Sequence, residues 1–252
     1  MSKKYDLTVL EILQCLQRGE EQTFKEEFSG FSAEEIKQSE EKLGVVFPEF
    51  YKQYMMQYGR HPINYIQDKL CKPSEISSTY EYLSEDIDSY IKDLEGVSDE
   101  EVHKMCEEDE IYRLCRLPKE NWNIVTEEYI LIAYENQGVW NAGYLRKDLE
   151  NGVKDPPVYI STNDDFITFT KVADNTEEFL KHIFFMSTWC LCDVQSFDEK
   201  DEILNNLKEN NFDIEKMTGL GVNFCNDSET NKLFVCLKDK NDNMILLTAQ
   251  LT

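Results

Sequence analysis

The chain has 252 residues, 41% of them hydrophobic and 12% aromatic, which is enough to bury a core and too rich in Tyr and Phe for a disordered chain. Against 26 Lys and Arg stand 50 Asp and Glu, and the net charge of −24 repels nucleic acid and anionic lipid while drawing in basic proteins. Arg accounts for only five of the basic residues, so bidentate phosphate forks are scarce.

Residues 7–28 suit an amphipathic helix, with Leu10, Leu13 and Leu16 at helical spacing beside Val9 and Ile12. The next helix carries its own start signal. Ser32 can cap it, Glu35 completes a capping box, and Phe31 with Ile36 fit a hydrophobic staple. It ends at Leu43-Gly44, where Gly tolerates the left-handed backbone. A third helix opens with Pro48 in its first turn, puts Tyr51, Tyr54, Met55 and Tyr58 on one face, and closes at Gly59. Residues 61–75 read as irregular, with a short strand at Asn64-Tyr65-Ile66.

Residues 84–110 read as helical, with Ile87, Tyr90, Ile91 and Leu94 on the apolar face and a second capping box at Ser98 and Glu101. From Glu85 to Glu110 there are 12 acidic residues and two Lys. A solvated helix face is the plain reading of that run, and an acidic docking surface is the functional one.

The middle of the chain turns to β. Tyr129-Ile130-Leu131-Ile132-Ala133-Tyr134 reads as a central strand buried on both faces. Glu135-Asn136-Gln137-Gly138 is turn chemistry, and Val139 to Tyr144 returns as the second strand of a hairpin. Asp155-Pro156-Pro157 breaks the pattern before Val158-Tyr159-Ile160, a short strand expected at a sheet edge, and residues 166–172 can pair as another. Residues 176–191 form the most apolar helix and should pack on a sheet. A short helix at 199–209 precedes strands at Val222 to Cys225, Leu233 to Leu237 and Met244 to Leu251, with Asp239 to Asn243 as the last turn. No internal repeat or obvious linker is visible. We expect one domain over 1–252, with 1–28 as an appended N-terminal helix and 84–110 as an acidic helical insertion.

The search for chemistry yields little. Eight Cys occur in a long chain without a signal-peptide pattern, mostly inside apolar periodic segments, so reduced thiols in a cytoplasmic protein are expected. The apolar stretch Ile183 to Cys192 is about half of the ~20 residues that span a bilayer, so no membrane is involved. His61, His103 and His182 lack paired spacing, and Cys190-Leu191-Cys192 has no second pair at zinc spacing, so no metal or cofactor is assigned. Asp239, Asn241 and Asn243 begin like a calcium loop, but Met244 stands where Gly is needed. Gly219-Leu220-Gly221 begins like a dinucleotide fingerprint but lacks its third Gly. Only Cys71, beside Lys69 and Lys72, and Cys115, between Arg113 and Arg116, approach a nucleophile's electropositive setting. No nucleophile–base–orienter set emerges, and a non-enzymatic protein is expected.

Two segments resemble the SUKH superfamily, a large set of bacterial immunity proteins that also includes a yeast cell-wall synthesis regulator. The first is Ile36 through Gly59, with Glu40-Glu41-Lys42-Leu43-Gly44 followed by Phe47-Pro48-Glu49-Phe50-Tyr51. The second is Tyr134-Glu135-Asn136-Gln137-Gly138-Val139-Trp140 followed by Asp155-Pro156-Pro157-Val158-Tyr159, which is the specific part. Leu117-Pro118 also sits where the family carries a Pro. The chain departs from the pattern in the acidic insertion and at Asn141-Ala142-Gly143-Tyr144.

The resemblance implies an α+β fold with a mixed, twisted β-sheet flanked by helices, and an immunity protein that neutralises a cognate toxin domain by direct binding. A basic nuclease-type toxin would fit the charge. The expected partner-binding surface is Glu135, Asn136, Gln137 and Trp140 with the acidic run Glu107, Glu108 and Asp109. For Trp140 the competing role is a core aromatic, and for Asn136 a turn former. The molecule is expected to be a monomer or weak dimer. The alternatives are a regulatory protein-binding scaffold without a toxin partner, and an acidic mimic of DNA.

Overall fold

The computed structural model describes residues 3–18, 26–66, 68–109, 111–162, 165–191 and 194–251. In chain order its first elements are β1 (Lys3–Lys4), α1 (Val9–Leu16), α2 (Ala33–Leu43), α3 (Glu49–Tyr58), β2 (Asp68–Leu70) and β3 (Ser77–Ser78). Next come α4 (Thr79–Asp93), α5 (Asp99–Glu108), α6 (Ile111–Cys115), β4 (Tyr129–Glu135), β5 (Trp140–Leu145), α7 (Arg146–Glu150), β6 (Val158–Thr162) and β7 (Asp165–Ala173). The chain finishes with α8 (Thr176–Leu191), β8 (Val194–Phe197), α9 (Lys200–Glu209), α10 (Ile214–Met217), β9 (Gly221–Asp227), β10 (Lys232–Lys238) and β11 (Met244–Gln250). The fold is α+β. Among the described residues the strands form two antiparallel sheets, of five and six strands.

The chain divides into two compact units. One holds residues 1–30, 60–68 and 176–252, and the other residues 31–59 and 69–175.

In the first unit the sheet order is β1-β9-β10-β11-β8. Alternation along β10 sends Phe234 and Cys236 to one face, where they meet Ile203 and Leu207 of α9 and Met217 of α10. Leu233 and Val235, fully buried, point to the other face, and α8 packs on β9 and α1. The Asp239–Asn243 segment is a hairpin turn, with Asp239 Oδ1 accepting from the amides of Asn241 and Asn243 at 2.8 Å each. The N-terminal helix is shorter than its periodicity suggested. It stops at Leu16, and residues 26–28 are not helical, while residues 19–25 lie outside the described residues. No strand runs through Asn64-Tyr65-Ile66, because Pro62–Asn64 form a 3-10 turn that buried His61 caps through Nδ1.

In the second unit the sheet runs β2-β4-β5-β6-β7, with β3 also paired to β4. The Ser32 capping box forms, and Gly44 ends α2 at φ 68, the left-handed conformation expected of it. Pro48 stands one place earlier than expected, as the cap residue before α3. Tyr51 of α3 meets Tyr144 of β5 edge to face, with ring centroids 6.0 Å apart, which seats α3 on the sheet. The central-strand reading of β4 holds, since five consecutive residues from Tyr129 are buried. A bulge between Leu131 and Ala133 turns the Ile132 carbonyl to the Cys71 amide at 2.8 Å. The strand at Val158 is interior, not the expected edge, because β7 pairs along its outer side. β7 then curls back, so that Thr126 Oγ1 donates to the Ile167 carbonyl at 2.6 Å and Tyr129 stacks on Phe169 at 4.0 Å.

A satellite cluster holds α4 and α6 through Leu83, Ile87, Ile111, Leu114 and Trp122. On α4, Ile91 is exposed, contrary to its place in the expected apolar face. The Ser98 capping box starts α5 as expected.

A hairpin tip and an acidic helix

The hairpin between β4 and β5 brings the sequence-predicted residues Glu135, Asn136 and Gln137 together. Asn136, Gln137 and Val139 are exposed, and Trp140 is half-buried. Glu135 is not part of that display. It is 8% exposed, and its Oε2 accepts from the Gln137 amide at 2.6 Å and the Val139 amide at 3.3 Å. The Gly138 amide closes the turn on the Glu135 carbonyl at 2.9 Å, with Gly138 at φ 76. A carboxylate inside the turn thus satisfies amides that would otherwise face away from any partner. Glu135 shapes the tip, and the tip shows Asn136, Gln137 and Val139 to solvent.

The acidic run is built by different elements. Glu107 and Glu108 end α5, where they sit 3.4 Å from His103 and 3.5 Å from Lys104 one turn back. Asp109 caps that end and its Oδ1 accepts from the Ile111 amide at 3.0 Å. Glu110 lies outside the described residues. None of the described residues of α5 is buried, and Asp99, Glu100, Glu101, Glu107, Glu108 and Asp109 are all exposed. A solvated helix face is the plain sequence reading of this run; the sequence does not show that the helix docks against α6.

The cysteines singled out for reactivity are poorly placed for it. Burial pushes the Cys71 thiol up to about 12 and that of half-buried Cys115 up to about 11. The seven described cysteines are free, and Cys192 lies outside the described residues. Among the described residues no cluster of three His, Cys, Asp or Glu side chains could hold a metal ion, and no helix is long and apolar enough to cross a membrane.

Arg146 holds the frame behind the hairpin. Its Nη1 donates to the Leu43 carbonyl at 2.8 Å, tying the end of α2 to the start of α7. Sequence reading passed over it, because its partners lie 103 residues away at Leu43 and across the sheet at Glu128.

No curated relative and no solved structure matches the chain. The SMI1 / KNR4 family (SUKH-1) matches residues 30–182, which include every element of the second unit and the start of α8. Since that match spans more than half of the sequence, the chain belongs to the SMI1 / KNR4 family, whose members are typically non-catalytic immunity proteins of polymorphic toxin systems.

Proposed function

We propose that this protein is an immunity protein that binds a cognate toxin domain and neutralises it by covering its working surface, without chemistry of its own. The observation that carries this reading, beside family membership, is α5. A helix that buries none of its described residues contributes little to a core, yet it presents five carboxylates to solvent, and its cap Asp109 adds a sixth. Carboxylates displayed in this way attract a basic surface and speed its approach. A nuclease-type toxin, which needs cationic groups for phosphates, supplies such a surface. The hairpin tip at Asn136, Gln137 and Trp140 offers the neutral, hydrogen-bonding contacts that fix orientation once the charges have steered the encounter.

The test is to look for a secreted toxin in the neighbouring open reading frame and pull down its C-terminal domain with the full chain, together with an assay of that domain's toxic activity. Stoichiometric capture and loss of toxin activity are the expected results. Turnover of a small metabolite by the purified protein, abolished by one side-chain change, would overturn the reading.

A further inference from the structure

We propose that a cleft of about 400 Å³ beside α5 and α6 receives an apolar side chain of the partner protein flanked by a carboxylate. The inference rests on the protein-binding reading above and gives it a determinant of specificity. Cys106, Arg113, Arg116, Leu117, Ile124 and Val125 line the cleft. Leu117 and Val125 are packed against the Leu114–Trp122 cluster, so its floor is held by a core. Ile124 is 73% exposed, the highest value among the large apolar side chains described, and it stands at the cleft without cover.

Charge selects the occupant. Arg116 is exposed, and its guanidinium makes no ion pair or side-chain hydrogen bond among the described residues, although the chain carries 50 carboxylates. A planar guanidinium is the side chain best suited to hold a carboxylate by two parallel hydrogen bonds. The −24 field disfavours a carboxylate over the surface in general, and an unpaired guanidinium offsets that locally. A basic partner that also carries one apolar–acidic pair at the matching place would be distinguished from any other basic protein. This is selection by a contact of opposite sign to the general attraction.

The experiment is an NMR titration of the full chain with two blocked peptides, acetyl-Gly-Leu-Glu-Gly-amide and acetyl-Gly-Leu-Lys-Gly-amide, reading the Ile124 δ1 methyl and the Arg116 Nε–H. Saturable shifts of both signals with the glutamate peptide, at least about tenfold weaker with the lysine peptide, are expected. R116E should reverse the preference while leaving the far-UV circular dichroism unchanged, because the side chain is exposed. Equal responses to the two peptides, no saturable shift at Ile124, or a glutamate response retained in R116E would each overturn the proposal. No toxin is present in this titration, so its failure leaves the toxin-binding reading standing, and failure of toxin capture leaves the titration interpretable.

Discussion

Arg146 and Glu128 join the end of β5 to the start of β4: Nε lies 2.6 Å from Oε2, and the Arg146 amide donates to the Glu128 carbonyl at 2.9 Å. The Nε–H is not aimed along the shorter contact, so this is a charge pairing more than an aligned hydrogen bond. Each side chain is 21% exposed, and the same guanidinium also serves the Leu43 carbonyl. R146M should therefore cost about 2 kcal/mol, because it strands a half-buried carboxylate and an unpaired carbonyl. E128Q should cost less. Urea unfolding of both single variants and the double variant measures the coupling, and hydrogen exchange should show the loss first in the β4 and β5 amides.

Gly143 is required by crowding. A Cβ there would stand 2.3 Å from the Ile130 carbonyl oxygen and 2.8 Å from its carbon, with no flexible side chain to yield. G143A is expected to cost at least about 3 kcal/mol and to reduce soluble yield sharply. G44A meets nothing within 4 Å but sits at φ 68, so about 1 kcal/mol is expected. Comparing the two urea midpoints separates steric crowding from backbone preference.

Glu135 and its neighbour Asn136 should respond differently. E135A removes the acceptor for two amides and should destabilise the hairpin by about 2 kcal/mol, seen as faster exchange at Gln137 and Val139. N136A should stay within about 0.5 kcal/mol of the parent stability, because the side chain is exposed. Its effect should appear in toxin affinity instead. A loss of stability with unchanged affinity in N136A would remove the tip from the proposed interface.

The charges of α5 can be altered without disturbing the fold. E107K with E108K breaks the exposed pairs with His103 and Lys104, which contribute little, and places cations at a helix C-terminus, where the helix dipole favours them, so the net change in stability should be small. The association rate with the toxin domain should fall about tenfold at low salt, and its dependence on ionic strength should flatten. Stopped-flow association across a salt series checks this, and an unchanged rate would argue against electrostatic steering by this helix.

Acid should loosen β1 early. Asp227, 2% exposed, would have its carboxyl raised by burial, but Lys3, the Glu229 amide and the Thr230 hydroxyl outweigh that and hold it below the usual aspartate value. A depressed folded value contributes stability that is complete above the ordinary range near 3.9 and is lost as pH falls through the lower folded value. D227N should reduce stability at neutral pH and remove that acid-dependent loss. Thermal unfolding from pH 6 down to pH 2 measures both.

Features governed by near neighbours were legible in the sequence. The capping boxes at Ser32 and Ser98, the left-handed Gly44 and the Asp239–Asn243 turn each depend on residues within about four positions, and each forms. Helix α8 and strands β9 to β11 were legible from period alone. The two-residue β1 and β3 carry no period to read, and β8 was missed as well. The short helices α6, α7 and α10 were also missed, being too brief for a 3.6-residue pattern.

By itself, then, the sequence determined the α+β class, the caps and turns, the family-bearing hairpin motif and the net charge, because these follow from local chemistry and composition. Only the tertiary structure decided which strands share a sheet and that Val158 lies inside one. It also decided that Glu135 faces its own turn while Asn136 faces solvent, and that α5 stays on the surface with a cleft beside it. Exposure and strand neighbours depend on residues brought together from distant parts of the chain, and a run of letters carries no record of which distant groups exclude water from a given side chain.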